Sequence, residues 1–355
     1  MGRITTLRDL IGVIKDKVSQ SKAALLSKPS KLSLHLAVIK ATTHSPTTTP
    51  NDHHHHHLSA LLSLGYSSRA TASVIINTLM DRLHRTRDAS VALKCLLTIH
   101  YILKRGPFIL QDQLSIVPTS GGRNYLKLSA FRDGATASKW ALSEWVRWYA
   151  RYLETLLSSS RTLGYYLRSP PWNIDKDKEE ERVSSSMNLD LIRDVDSLVE
   201  VIEELCKLPD SLLVEDNKLL YEVMGLLRGD YLSAVNEVLL RLSEFKERLS
   251  CLSFGESVEL TCALKRLEDR RERLLEMFKI KKPSMETLWV SIGELKGRVG
   301  MLEVDREGGK MVNRGRRRRA SESTRFDEVL KSADPFRHIS SGSFRSDKFS
   351  HMILE

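Results

Sequence analysis

One long seam of apolar residues with helical spacing constrains the fold of this chain more than any other feature. Between residues 220 and 249, apolar side chains recur at intervals of three and four residues, which places them along one side of an α-helix. The seam consists of Leu220, Val223, Leu227, Tyr231, Ala234, Val238, Leu242, Phe245 and Leu249. Because a helix of about eight turns cannot leave a continuous apolar side in water, this helix must pack against others.

Similar seams recur along the chain, whereas the strict alternation typical of β-strands is scarce. Residues 189–208, 258–278 and 284–302 show the helical period, and we predict that they form an antiparallel bundle with residues 220–249. Nearer the N-terminus, the pattern predicts helices near residues 7–18, 32–42, 54–64, 68–83, 89–104, 108–116 and 137–167. We therefore expect an all-α fold, in which residues 175–182 (DKDKEEER) are a solvated linker ahead of the bundle.

The predicted helices differ in how much apolar surface they must bury. The helix near residues 89–104 has little polar surface, so we expect it to be central, with His100 as a satisfied core residue. The aromatic residues between 140 and 152 indicate core packing rather than a surface that stacks nucleic-acid bases. On the first helix, we interpret the apolar side as packed on the core, in preference to insertion into a membrane; it consists of Leu7, Leu10, Ile11, Ile14 and Val18.

Charge is distributed unevenly along the 355 residues, whose formal net charge is +10. Residues 1–165 carry a net charge of +13, residues 166–305 one of −8 and residues 306–355 one of +5. A basic front attracts phosphate groups, either on a membrane surface or on nucleic acid. No apolar run approaches the roughly 20 residues that a membrane-spanning helix needs, so we expect any membrane contact to be peripheral.

Basic and imidazole groups converge near the start of the third predicted helix. Lys40 lies at the end of one helix, a loop bounded by Pro46 and Pro50 follows, and five histidines, residues 53–57, open the next helix. The free backbone N–H groups and the dipole at a helix N-terminus already favour an anion. We therefore predict an anion-binding site here.

No motif indicates catalysis. The sequence has no GxxxxGK[ST] phosphate loop, no GxGxxG motif after a strand and no HExxH motif. Since these motifs are missing, we expect no enzyme activity and no cofactor. Consecutive histidines do not provide a rigid metal site, so we also expect no resident metal. The four cysteines form no CxxC pair and no disulfide framework, which favours a reduced, cytoplasmic setting.

Two stretches carry a family resemblance. Residues 40–44 (KATTH), followed by a proline-bounded loop and then a histidine before Leu58, resemble the ANTH domain, the membrane-binding domain of clathrin-assembly proteins. That domain is related to the ENTH domain of epsins. Residues 148–153 (WYARYL) are similar to the family's R-Y-x-R-Y-L helix, with Trp148 in place of a basic residue. The resemblance covers about residues 3–300 and is to plant-type clathrin-assembly proteins.

The resemblance implies both a fold and a lipid site. It implies a right-handed, ENTH-like α-solenoid in residues 1–165, a C-terminal helical bundle in residues 183–303 and a disordered basic tail in residues 306–355. It also implies binding of phosphoinositide headgroups through a lysine and a later basic motif that ends in histidine. The matching positions are Lys40, His54, His56 and His57.

The tail adds a candidate protein-binding motif. Asp334, Pro335 and Phe336 form a DPF tripeptide, which is similar to peptides that dock on the appendage domains of clathrin adaptors. The implied function is a peripheral membrane adaptor in the budding of clathrin-coated vesicles and in endocytosis, with a phosphoinositide membrane, clathrin and adaptor appendages as partners and vesicle SNAREs as cargo. The implied location is the cytoplasmic side of coated pits and vesicles, at the plasma membrane and the Golgi.

Two other functions fit parts of the sequence. The arginines at 314 and 316–319 would suit a nucleic-acid-binding helical protein, but the aromatic residues lie in apolar seams, so we expect no nucleic-acid partner. Alternatively, the chain is a helical scaffold that binds only proteins, because histidines replace the strong cations of the lipid motif. This scaffold and the membrane adaptor differ only in affinity for phosphoinositide.

Overall fold

The computed structural model describes residues 7–44, 53–116, 125–167, 176–209, 217–278, 283 and 286–301. Within these residues the fold is all-α, as the sequence predicts, and no strand occurs. The helices are α1 (Leu7–Leu26), α2 (Pro29–Ala41), α3 (His53–Leu64), α4 (Arg69–Arg85), α5 (Ala89–Arg105), α6 (Phe108–Ile116), α7 (Ala137–Leu163), α8 (Lys176–Ser185), α9 (Asn188–Leu205), α10 (Lys218–Arg248), α11 (Phe254–Glu268), α12 (Arg271–Phe278) and α13 (286–301). A short 3₁₀ turn, Leu249–Cys251, joins α10 to the segment before α11.

Residues 1–305 form one compact unit and residues 306–355 a second, which lies outside the described residues. The predicted boundaries at residues 165 and 183 therefore stay predictions, as does the disorder of the tail.

The N-terminal helices stack on their neighbours in chain order. Helix α2 packs on α3 and α4, α4 packs on α5 and α6, and α5 packs on α7. Every residue of α5 except Ser90 and Arg105 is buried, which confirms that this apolar helix is central. Its sequence offers little polar surface, so burial on most sides follows from its composition.

Local sequence sets where many helices begin. The side chains of Ser68, Asp88, Thr136 and Asn217 accept hydrogen bonds from backbone N–H groups in the first turns of α4, α5, α7 and α10. Ser253 and Glu256 form a complete capping box at the start of α11. These side chains satisfy backbone donors that the helix itself cannot, and each typically stabilises a helix by about 1 kcal/mol.

Helices α7, α9, α10 and α11 form the bundle. The Trp148 indole donates to the Glu204 carbonyl and Ser159 donates to the Ser197 carbonyl, so α7 and α9 run antiparallel. Helix α10 also runs antiparallel to α9, because Arg241 contacts Asp194 while the later Arg248 contacts the earlier Asn188. On the other side of α9, Arg266 of α11 pairs with Asp196 and Glu203.

Two predictions about this region were wrong. The charged stretch 175–182 is not a linker, because residues 176–185 form α8, with Val183 buried and Arg248 of α10 bound to the carbonyls of Ser184 and Ser186. The seam at 258–278 is not one helix, because a turn at Asp269 and Arg270 separates α11 from α12. The change of direction lets Phe278 stack on Tyr231 of α10, with ring centroids 4.8 Å apart.

A fully buried charged cluster joins α5, α7 and α10. The Asp230 carboxylate of α10 lies 2.7 Å from His100 Nε2, contacts the Lys104 ammonium and accepts a hydrogen bond of 2.5 Å from the Tyr152 hydroxyl. Lys104 and Asp230 form a buried ion pair, because both side chains are fully enclosed. His100 also hydrogen-bonds the Tyr149 hydroxyl through Nδ1, so it is the satisfied core residue that the sequence predicts.

The aromatic stripe of α7 is mostly core. Trp145, Trp148, Tyr149 and Tyr152 are fully buried, and the last three stack on one another. Trp140 differs, because it is 55% exposed and lies beneath the Arg132 guanidinium. The expectation of core packing therefore holds for four of the five aromatic residues and was wrong for Trp140.

Candidate functional site

The segment that follows α2 is held in place by two cations. Helix α2 ends at Ala41, with Lys40 exposed in its last turn. Arg82 of α4 donates to the Thr42 carbonyl at 2.6 Å, and the Lys94 ammonium of α5 donates to the Thr43 carbonyl at 2.9 Å. Cations suit this position, because the last carbonyls of a helix and its dipole present negative charge.

Lys94 is unusual because a lysine side chain is seldom so deeply buried. Its side chain is almost fully buried, and this burial lowers its pKa to about 8, although the nearby carboxylates of Asp16 and Asp88 oppose the shift. An ammonium donates a stronger hydrogen bond than a neutral amine does, so the contact with Thr43 is strongest below that pH.

A carboxylate from α1 completes this arrangement. One oxygen of Asp16 accepts from the His44 backbone N–H at 2.7 Å. The other lies 2.7 Å from His44 Nδ1 and 3.0 Å from a nitrogen of Arg82. Burial raises the pKa of Asp16, but the bonds from His44 and Arg82 outweigh it, and the net pKa is lowered. Asp16 is therefore a carboxylate at neutral pH.

The apolar side of α1 faces outward, and the interpretation that it packs on the core was wrong. Among the α1 side chains that the structure describes, Gly12 and Asp16 are the buried ones. The opposite side exposes a stripe of apolar residues that consists of Leu10, Ile11, Ile14, Val18 and Leu25, and Val13 beside it is also exposed. Exposed lysines flank the stripe: Lys15 and Lys22, seven residues apart, lie along one edge and Lys17 along the other.

The histidine run opens α3, and its members point in different directions. His56 is exposed and His57 is partly exposed, in the first turns of a helix whose first turn contains no acidic residue. Helix α3 packs on α2, whose last turn carries Lys40. The side chain of His54 and the intervening residues 45–52 lie outside the described residues.

His55 is turned toward the body of the molecule. Its Nε2 lies 3.4 Å from a carboxylate oxygen of Glu222 on α10, and its ring packs edge-on against Tyr101 of α5. The Tyr101 hydroxyl donates to the same oxygen of Glu222 at 2.8 Å. This contact ties the start of α3 to two other helices, so the histidines that follow project from an anchored turn.

Sequence reasoning missed the groups that hold this region together. Asp16, Arg82 and Lys94 lie 28, 40 and 51 residues from their partners in the 42–44 segment. No local pattern marked them, since an acidic residue such as Asp16 opposite an apolar stripe is usual in an amphipathic helix. The predicted adaptor motif, Asp334, Pro335 and Phe336, lies outside the described residues.

A sequence model of the ANTH domain matches residues 33–280, and the chain belongs to the ANTH domain family. This range includes the segment after α2, the histidine run and the bundle through α12, while α1 precedes it. No helix in the described part of the chain is long and apolar enough to cross a bilayer.

Curated relatives extend the match to the whole chain. The chain is 50% identical to an Arabidopsis thaliana protein named "Putative clathrin assembly protein At4g40080", over 99% of this chain and 98% of that protein. It is 35% identical to "Putative clathrin assembly protein At5g10410" of the same plant, over 68% of this chain and 69% of that protein. A third, "Putative clathrin assembly protein At5g65370", is 29% identical over 83% of this chain and 99% of its own length.

Proposed function

We propose that this protein is a peripheral membrane adaptor that binds phosphoinositide headgroups and promotes the assembly of clathrin coats. The observation that carries the proposal is the exposed apolar stripe of α1, flanked by lysines and attached next to the segment that follows Lys40. A helix with an apolar stripe flanked by lysines suits the interface of an anionic bilayer, where both kinds of side chain contribute to binding.

The headgroup site proposed here consists of Lys40, His54, His56 and His57. The N–H groups at the start of α3 can donate to phosphate, and His56 and His57 add imidazole donors beside them. The His55 contact with Glu222 supports this assignment indirectly, because it orients the first turn of α3. Family membership is consistent with the proposal.

The clathrin part of the proposal rests on the relatives and on the tail. Three relatives are named as clathrin assembly proteins, and one of them matches nearly the whole chain. The DPF motif at residues 334–336 would bind an adaptor appendage, while clathrin and vesicle SNAREs would be further partners. The proposed place of action is the cytoplasmic side of coated pits and vesicles, at the plasma membrane and the Golgi.

Flotation of the full-length protein with three kinds of vesicle tests this function. The vesicles contain phosphatidylcholine alone, phosphatidylcholine with phosphatidylserine, or phosphatidylcholine with phosphoinositide at the same total charge. We expect strongest binding to the phosphoinositide vesicles and weakest binding to phosphatidylcholine, with a decline as salt rises. Equal binding to both anionic vesicles would indicate a charged surface without a headgroup site. Binding to none of the vesicles would favour the protein-only scaffold.

A further inference from the structure

The attachment of α1 needs an explanation, because its apolar residues do not provide it. This helix packs on α2, yet its stripe points away from the body, and Gly12 and Asp16 are the buried positions among its described side chains. Residues four apart lie on one side of a helix, so Gly12 and Asp16 form a single contact surface opposite the stripe. That surface meets the protein at His44.

The Asp16 carboxylate makes the polar part of the contact. It accepts from the backbone and contacts the ring of His44, and it pairs with Arg82, which also binds the Thr42 carbonyl. A carboxylate this buried is costly unless it is paired and hydrogen-bonded, and here both oxygens are engaged. Release of α1 would leave Arg82 without this partner, so the interaction favours the attached helix.

Gly12 makes the steric part of the contact. A Cβ atom built on Gly12 would lie 2.9 Å from the Cβ of His44, which is closer than real Cβ atoms approach. The backbone of α1 therefore approaches His44 at a distance that an alanine would prevent. Glycine lowers the stability of a helix. The close approach to His44 explains why α1 nevertheless has a glycine at position 12.

We propose that Asp16 and Gly12 form a latch that fixes α1 to the segment after Lys40, so that the apolar stripe and the headgroup site meet a membrane as one rigid surface. This inference rests on the proposed function and makes Asp16 a positioning residue, not a lipid ligand. Most of the stability of a helix in a protein comes from tertiary packing, and the latch supplies such a contact to α1 before it binds. Two sites held in a fixed relative position lose less freedom on binding than two that are independently mobile.

The test uses the full-length protein and two latch variants that act by different means. Asp16→Ala removes the carboxylate, while Gly12→Ala keeps every charge and favours the helix but blocks the approach to His44. Asp81→Ala on α4 is the matched control, because Asp81 is exposed and its loss changes the net charge equally. Since Asp16→Ala makes the protein more positive, charge alone would strengthen its binding to anionic vesicles.

Four measurements separate the latch from a general structural role. They are the rate of tryptic cleavage after Lys15, Lys17 and Lys22, binding to phosphoinositide vesicles, calorimetric binding of the soluble inositol phosphate headgroup, and the melting temperature. For both latch variants we expect cleavage to be about tenfold faster and vesicle binding to be about tenfold weaker. We expect headgroup binding and the melting temperature of the remaining domain to be unchanged. The control should be cleaved at the wild-type rate and should bind vesicles at least as strongly as the wild type, because it loses one negative charge.

Each other outcome has a definite meaning. Unchanged cleavage in both variants overturns the latch. Faster cleavage with undiminished vesicle binding overturns the positioning role, and an equal loss of headgroup binding would show that Asp16 supports the headgroup site itself. If the wild-type protein binds neither vesicles nor headgroup, the proposed function and the positioning role fail together, while the cleavage rates still decide whether α1 is latched.

Discussion

Lys40 lies in the last turn of α2 with its side chain exposed. Two residues later begins the segment 42–44, which groups from three other helices contact. Arg82, Lys94 and Asp16 all contact the backbone of residues 42–44. Arg82 and Lys94 need not touch a ligand to affect binding, because they hold residues 42 and 43 directly after α2. At the scale of single residues, the proposed site thus begins with one exposed cation beside a backbone that side chains of other helices hold.

Reversing the charge of Lys40 should weaken phosphoinositide binding. Each lysine near an anionic bilayer contributes about 1 kcal/mol, and Lys40→Glu replaces this attraction by repulsion of similar size. We therefore expect vesicle affinity to fall by roughly ten- to a hundredfold, measured by flotation across a range of lipid concentrations.

Lys265→Glu provides the matched control for this prediction. Lys265 is also exposed and lies near the end of α11, in the bundle, so the net charge of the protein changes equally. If the two variants lose affinity equally, only overall charge matters and Lys40 is not part of a site.

The apolar seam of α10 does not include every residue of this helix that is buried. Its seam residues are buried as the spacing predicts, but Asp230 and Arg241 beside the seam are buried as well. Arg241 is enclosed by Asp194, Glu237 and the Tyr165 hydroxyl. Because α10 contacts α5, α8 and α9, its buried surface is wider than one stripe, and polar residues at the edges of the seam are enclosed too.

Removing the charge of Asp230 should destabilise the fold strongly. Asp230→Asn leaves Lys104 buried without a countercharge, and loss of one partner from a buried ion pair typically costs about 3–5 kcal/mol. We expect a loss of this size in the free energy of unfolding, measured by urea denaturation at neutral pH. Asp190→Asn, at an exposed pair with Arg193, should cost less than about 1 kcal/mol. Equal losses would show that burial of the cluster has no special effect.

The contribution of Asp230 to the free energy of unfolding should depend on pH. Burial raises the pKa of Asp230, but His100 and Lys104 outweigh it and lower the pKa to about 2, below the ordinary value of 3.8. Since the folded-state pKa is depressed, this stabilisation is complete above the ordinary value and is lost as pH falls toward the folded one. The stability difference between wild type and Asp230→Asn should therefore narrow as pH falls from 3.8 to 2. A constant difference would contradict this assignment.

At the scale of the whole molecule, the chain combines a basic N-terminal half, an acidic bundle and a basic tail. In the proposed adaptor, the basic N-terminal half binds a membrane and the basic tail binds other proteins. The match to one relative extends over 98% of its length and 99% of this chain, so it includes the tail region.

Phe336 should be necessary for capture of adaptor appendages. Its ring would fill an apolar pocket, while Pro335 limits the conformational freedom that is lost on binding. We expect Phe336→Ala to abolish pulldown by purified appendage domains, with unchanged melting temperature and unchanged vesicle flotation. Undiminished pulldown would show that the motif is incidental, and Phe344→Ala, eight residues later in the same basic tail, controls for the loss of any aromatic side chain.

The sequence by itself determined the all-α class, the central position of α5 and the burial of most aromatic residues of α7. These depend on residues close together in the chain, and helical spacing reports them directly. The tertiary structure alone decided that α8 is a helix, that α1 turns its apolar stripe outward and that Asp230 is buried. The partners responsible are distant: Arg248 binds Ser186 across 62 residues, and Arg82 binds Asp16 across 66. Periodicity describes the apolar side of one helix, whereas burial depends on which other helices reach it, and no local pattern contains that information.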